Sequence, residues 1–376
     1  MNRNRPSLQR RLAAWGWLGC SLPCMPRARL PGLDPTWRRG LQAALVLSAL
    51  FAGLGSARAE SDPVTTSPAL TAPVVCPPAL PRVTRSAPPS DRGMLWRITR
   101  DGRSSWLYGT VHVGKPEWQH FGPRVQAALN ASEVLALEVD PNDPQLAAEL
   151  ADTGPPVTLP PALKARLAQA VARACVDAAL LAPMHPLLQA SFLAVLEARW
   201  LGLDPAYAME QLLLAQVRGQ GRPVVALETA AQQKAALLQT APTPAGRASA
   251  SRRTPAANEG DAQTLASLTQ TLSQLEDQSA RRVLARLVQA WERGDVDLLA
   301  QYERWCECVQ TADDRAALAR LNDDRNPALA AGIVAQHRAG RRVFAAVGAL
   351  HMTGPKALPL LLAQQGFRVE RVAFAR

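Results

Sequence analysis

Five histidines occur in the 376 residues, His112, His120, His185, His337 and His351. Two of them close the same short pattern, Gly109-Thr110-Val111-His112 and Gly348-Ala349-Leu350-His351. Each pattern follows an apolar run suited to a strand. Each precedes a Gly- and Pro-containing turn, a helical stretch and another strand. An imidazole can ligate a metal or take a proton near neutral pH. A lone loop histidine is commonly satisfied by a backbone carbonyl, but two at equivalent strand ends point to a shared site. In an open α/β sheet, ligands bind beyond the carboxyl ends of the strands. Glycine ahead of each histidine lets the backbone turn sharply and lets a ligand approach.

Two acids have similar placements. Glu138 closes the nearly all-apolar run Val134-Leu135-Ala136-Leu137-Glu138-Val139, where a carboxylate is costly unless it is paired or bound to a metal. The bland reading is that Glu138 caps a neighbouring helix. Asp140 shares its strand face but lies further into the loop. Glu228 ends the short strand Pro223–Leu227. It is either a second acid of the site or the N-terminal carboxylate of the helix that follows.

The elements that must position these groups can be read along the chain. Met94–Thr99 and Ser104–Tyr108 are strands around Asp101-Gly102, a hairpin turn signal. A helical stretch Pro123–Ala131 and the buried strand Val134–Val139 follow. From about Gln145 to Gln239 the chain reads as mostly helical, with apolar residues at three- and four-residue spacing in Leu187–Leu201 and Met209–Val217 and a break at Gly202-Leu203-Asp204-Pro205. Residues 241–262 read as a disordered insertion. Helices resume from about Leu265 to Leu321. Arg342–Val347 and Phe367–Phe374 are strands around a helix ending near Gln365. The predicted fold is α/β: a central mixed β-sheet flanked by helices, with two pseudo-repeated strand–Gly-x-x-His loop–helix–strand units and a helical insertion between them.

The formal net charge of +11 suggests nucleic acid until its distribution is read. Residues 1–59 carry nine Arg against Asp34 alone, and removing their net +8 leaves +3 for the remainder, too little for a nucleic-acid footprint. Arg38-Arg39, the apolar run Leu41–Leu54 and Gly55-Ser56-Ala57-Arg58-Ala59 have the layout of a secretory signal. Residues 1–59 are therefore expected to be removed near Ala59, leaving a periplasmic or extracellular protein that meets the membrane only if the segment stays uncleaved. A start at Met25 would shorten the long basic region. Residues 60–91, rich in Pro, Ser and Thr, read as a disordered tether, and 92–376 as the folded domain. Of the six cysteines, Cys20 and Cys24 fall in the signal segment. Cys76, Cys175, Cys306 and Cys308 are free to form disulfides in an oxidising compartment. Cys306 and Cys308, two apart on an expected helix, would point to different sides and seek other partners.

Several short motifs together resemble the TraB/GumN family, which is related to TIKI-type proteases and more remotely to ChaN-like and erythromycin-esterase-like proteins. They are Leu107–His112, Leu137-Glu138-Val139-Asp140, Gly202-Leu203-Asp204, Leu227-Glu228-Thr229 with Gln232, Asp324-Arg325-Asn326 and Val347–His351. Their order covers roughly Gly93 to the C-terminus. The resemblance implies a paired Gly-x-x-His site with an acid, metal-dependent in the TIKI-type proteases and metal-free in the esterase-like relatives. Three functions follow from it. The first is a metal-dependent hydrolase acting on peptides or small molecules, with His112, Glu138 and His351 holding zinc, manganese or cobalt. Arg325 would then stabilise an oxyanion, Asn326 would orient a ligand and Glu228 would be a second acid. The second is a metal-free hydrolase in which a histidine held by Glu138 activates water. The third is a non-catalytic extracytoplasmic binder of peptide or metal. For the export reading, the mature N-terminus should be Glu60 when the purified exported protein is sequenced. An N-terminus retaining Leu41–Leu54 would contradict cleavage.

Overall fold

The computed structural model describes residues 75–80, 88–152, 156–238 and 255–374. The expected signal segment, most of the 60–91 tether and positions 241–254 of the expected insertion lie outside the described residues. Six strands form one sheet: β1 (Met94–Arg100), β2 (Arg103–Thr110), β3 (Val134–Leu137), β4 (Val224–Ala226), β5 (Val343–Gly348) and β6 (Arg368–Arg371). Their order is β4-β3-β5-β2-β1-β6. β2, β5, β3 and β4 pair parallel, while β1 is antiparallel to both of its neighbours, so the sheet is mixed. The β1–β2 hairpin turns on Asp101 and Gly102, both with positive φ, as a two-residue turn between twisted strands requires.

β5 lies at the centre and all six of its residues are buried. A near-continuous apolar run without alternation is what a parallel strand covered on both faces needs. Its register sets the site. Gly348 is paired with Thr110 on one side, and Ala346 with Leu137 on the other. The chain therefore leaves β2 towards His112, β3 towards Glu138 and β5 towards His351 at nearly one level, at the carboxyl edge of the sheet.

Helices cover the sheet. Pro186–Leu196 is buried along most of its length, the signature of a core helix, and it packs against Pro255–Glu276. The latter corrects the expected insertion. Positions 255–262 belong to this helix, and Pro255 stands at its first position, where a proline is well placed. Among the described residues no helix is long and apolar enough to cross a membrane.

Among the described residues two disulfides form. Cys76 joins Cys175, tying the segment before β1 to the end of helix Pro161–Ala174. Cys306 joins Cys308, against the expectation that they point apart. The helix Tyr302–Trp305 stops before them and Cys306 is extended. The chain then turns, with the Val309 N–H on the Cys306 carbonyl at 3.2 Å, and this brings the two cysteine Cα atoms to 5.0 Å.

The Gly202-Leu203-Asp204 motif has a structural task. Gly202 takes a positive φ at the end of a helical turn, and Asp204 then pairs with Gly114 through two backbone hydrogen bonds of 3.1 and 2.8 Å. Met209 N–H donates to Val111 O at 3.2 Å. Together these bonds pin the start of helix Met209–Gly219 against the His112 loop. A Cβ on Gly114 would lie 2.0 Å from the Tyr207 carbonyl oxygen. Gly114→Ala should therefore cost about 1–3 kcal/mol of stability, on the scale of overpacking, read as a lower urea midpoint. An unchanged midpoint would show that this contact does not constrain the loop.

Candidate functional site

The site is best built outward from Gly348, the last residue of β5. A Cβ there would lie 3.2 Å from Glu138 Oε1, 3.4 Å from His112 Nε2 and 3.5 Å from His351 Cδ2. Three of the sequence-derived residues thus converge on a position left open by the missing side chain. Neither Gly109 nor Gly348 takes the left-handed conformation. Their role is space, not a sharp turn: Gly348 leaves room for the site, and Gly109 leaves room for Met94, whose Cγ a Cβ would meet at 2.7 Å.

Glu138 follows β3 and is buried at 7% exposure. Its Oε1 accepts the Gly348 N–H at 2.8 Å and its Oε2 accepts from Arg325. Arg325 precedes helix Asn326–Arg338, and its guanidinium bridges two carboxylates. It meets Glu138 on one side, and on the other it meets Glu228 through both oxygens, with Nε donating at 3.1 Å. One terminal nitrogen also donates to Leu321 O at 2.8 Å and stands 3.4 Å from His351 Nε2. Glu228 takes a further hydrogen bond from Gln233 at 3.2 Å.

These contacts set the charges. Burial alone would push the Glu138 carboxyl up, but Arg325, both imidazoles and the Gly348 amide hold it well below the usual carboxylate range. Burial raises Glu228 against the pull of Arg325, so Glu228 is the carboxyl that takes a proton more readily. Burial disfavours the charge on Arg325, yet the two acids keep it firmly protonated.

The two histidines are held differently. Asn326 is fully buried, and its amide nitrogen donates to the carbonyls of His351 at 3.3 Å and Lys356 at 2.9 Å. Its Oδ1 therefore faces His351 Nδ1, 2.6 Å away. An amide oxygen can only accept, so Nδ1 carries the hydrogen and Nε2 presents its lone pair towards Arg325 and Glu138. Asn326 thus orients a histidine. At His112, Nδ1 lies 3.0 Å from Glu210 Oε1. Burial opposes protonation of His112, but Glu210, with help from Glu138, raises its pKa above the usual histidine value.

Glu210 escaped the reading of the sequence. The signal was an acid on the apolar face of Met209–Val217, three, four and seven residues ahead of Leu213, Leu214 and Val217. The other histidines have structural tasks or none visible. His185 Nδ1 accepts the Leu187 N–H at 3.2 Å, His337 bridges Ser105 and the Arg100 carbonyl, and His120 is exposed. Asp140 pairs with Arg218 at 2.6 Å. Beside it a cleft of about 290 Å³, lined by Val139, Leu146, Thr229 and Gln232, reaches Glu228.

The donor set of His112, Glu138 and His351 fits a divalent cation in kind, with nitrogen and carboxylate donors whose outer partners are already in place. In the folded chain Arg325 stands on Glu138, and among the described residues no group of three or more His, Cys, Asp or Glu is set at metal-holding separations.

His351 has a consequence for stability. Burial, with Arg325 and His112 and against Glu138, holds its pKa down to about 3. An unfolded histidine takes a proton below roughly 6.5, so between that pH and about 3 the unfolded state binds the extra proton. The contribution is constant above pH 6.5 and is lost as pH falls towards 3. His351→Gln should flatten the acid limb of stability against pH across that window, by an amount on the order of a few kcal/mol. An unchanged slope would mean that the ring is protonated in the folded protein.

The profile of the TraB/PrgY/gumN family matches residues 94–371, from the first residue of β1 to the last of β6. No curated protein and no solved structure matches the chain. The match covers most of the chain and contains every residue of the site, and the protein belongs to the TraB/PrgY/gumN family.

Proposed function

We propose that this protein is an exported hydrolase of acyl bonds, acting on peptides, in which water is activated between His112 and His351 beside Glu138. One observation carries the reading: two imidazoles from adjacent parallel strands meet a buried carboxylate at the carboxyl edge of the sheet, around the space left by Gly348. A structural role for a paired histidine does not require two of them on one carboxylate, and carboxyl strand edges are where α/β sheets bind ligands. The cleft lined by Glu228, which shares Arg325 with Glu138, is where a substrate chain would approach. The disulfides support work outside the cytoplasm.

His112, Glu138 and His351 would hold a zinc, manganese or cobalt ion, which when bound supplies Lewis acidity and a lowered pKa for water. The chain's own groups do the rest. Asn326 keeps the His351 ring oriented. Glu138, held ionised chiefly by Arg325, with the imidazoles and the Gly348 amide, supplies the negative charge. Arg325 balances Glu138 and Glu228, and its terminal nitrogen nearest His351 is the donor available to an oxyanion. A second reading dispenses with metal, and the seating of Arg325 on Glu138 favours it. There, water gives its proton to His112 Nε2 as its oxygen bonds to the acyl carbon, the acyl bond breaks, and the ring returns the proton to the leaving amine. The neighbouring carboxylate that raises the basicity of the ring is Glu210.

The test compares the full chain, stripped by chelation and reloaded with zinc, manganese or cobalt, on a mixed peptide pool. Cleavage should appear on reloading, and His112→Ala should lose both bound metal and cleavage. Cleavage that survives chelation selects the metal-free reading. Metal content unchanged in His112→Ala removes that residue from the ligand set. A pool left intact under every condition contradicts the hydrolase.

A further inference from the structure

We propose that Glu210 is the positioning residue of this site: it holds His112 in the Nδ1–H tautomer and so turns a bare Nε2 towards Glu138. The proposal deepens the hydrolase reading and rests on it for its functional meaning, though not for its structural content. Glu210 lies in the first turn of helix Met209–Gly219 and is buried at 9% exposure. A carboxylate on that apolar face is costly unless it is partnered. The partners are specific. Thr110 Oγ1, at the end of β2, donates to Glu210 Oε1, and His112, two residues on, brings Nδ1 to 3.0 Å from the same oxygen.

An ionised carboxylate has only lone pairs to offer, so an Nδ1 lone pair facing it would be repelled and an Nδ1–H is attracted. That leaves Nε2 without a hydrogen on the side of Gly348, because the carboxylate 3.0 Å from Nδ1 outweighs Glu138, whose ion-pair contact is with the other ring, His351, at 3.8 Å. Despite the 3.0 Å approach, neither His112 Nδ1 nor Glu210 Oε2 makes an aligned hydrogen bond among the described residues. The pair thus has room to tighten, as catalytic hydrogen bonds often do once the site is loaded. The backbone bonds from Gly114 to Asp204 and from Met209 to Val111 explain how the helix delivers Glu210 to this loop. Asn326 does the same for His351 with a neutral oxygen, so both imidazoles are set from their Nδ1 side. The rival account is that Glu210 merely favours the helix N-terminus electrostatically, which would leave the tautomer of His112 indifferent to it.

The experiment is long-range proton–nitrogen NMR on the full metal-free chain labelled with nitrogen-15 histidine, under alkaline conditions where the rings are neutral. His112 should be Nδ1–H in the wild type. It should move towards the Nε2–H form favoured by free imidazole in Glu210→Leu and partway in Glu210→Asp, with His351 unchanged. Cobalt should bind about 10–100-fold more weakly to Glu210→Leu, the usual effect of losing an outer partner of a metal-ligating histidine. An Nε2–H ring in the wild type, or a tautomer unmoved in the variants, overturns the assignment. If the leucine variant does not fold, the wild type and Glu210→Asp decide it alone. The tautomer is read without substrate, so a chain that hydrolyses nothing defeats the hydrolase reading and leaves Glu210 in its role.

Discussion

One buried guanidinium holds the functional end of this fold together. Arg325 joins Glu138 at the end of β3 to Glu228 at the end of β4, from the start of a helix about a hundred residues further on. Each of these charges would cost several kcal/mol if buried alone. Together they satisfy one another through the planar fork of Arg325, which a lysine could not reproduce. The arithmetic leaves a remainder. Glu138 and Glu228 share a single arginine, and Glu210 lies beyond them against His112, so the cluster is short of positive charge. Protonation of Glu228 or His112 can supply it, and so can a bound cation. The same imbalance that makes the region costly to fold thus makes it receptive to a proton or a metal.

The sheet explains why these groups meet. β5 lies between β2 and β3, and its register sets Gly348 beside Thr110, with Glu138 following one residue after the last β3 pair. The loop that carries His112 and the 3-10 turn Ala349–Met352 that carries His351 consequently start side by side. Outer partners then fix the rings: an amide at His351, made immobile by two backbone carbonyls, and a carboxylate at His112, delivered by a helix pinned through Gly114 and Asp204. The chemistry sits in loops, while its geometry is dictated by the central strand.

Much of this was legible in the sequence where a local rule was broken. Glu138 was visible because a carboxylate ends an otherwise apolar strand, and the histidines because their pattern recurs after two strands. Arg325 and Asn326 were not legible from spacing, since nothing local distinguishes a buried Arg before a helix from an exposed one. Resemblance to a family supplied them. Glu210 was hidden because Met209–Val217 reads as an ordinary amphipathic helix, and its partner is 98 positions away in sequence order, at His112. The Cys306–Cys308 pairing and the helix from Pro255 were misread because each depended on where a helix ends or begins, and tertiary packing moves such boundaries.

The account stands on His112 and His351 forming a single site. The measurement that tests this most directly is the cleavage rate of one susceptible peptide by His112→Ala, His351→Ala and the double variant. Residues that act as a unit lose nearly everything in the first substitution, so the double variant should be no slower than either single one. Losses that multiply, or a single variant that retains the wild-type rate, would mean that the two histidines do not share a reaction.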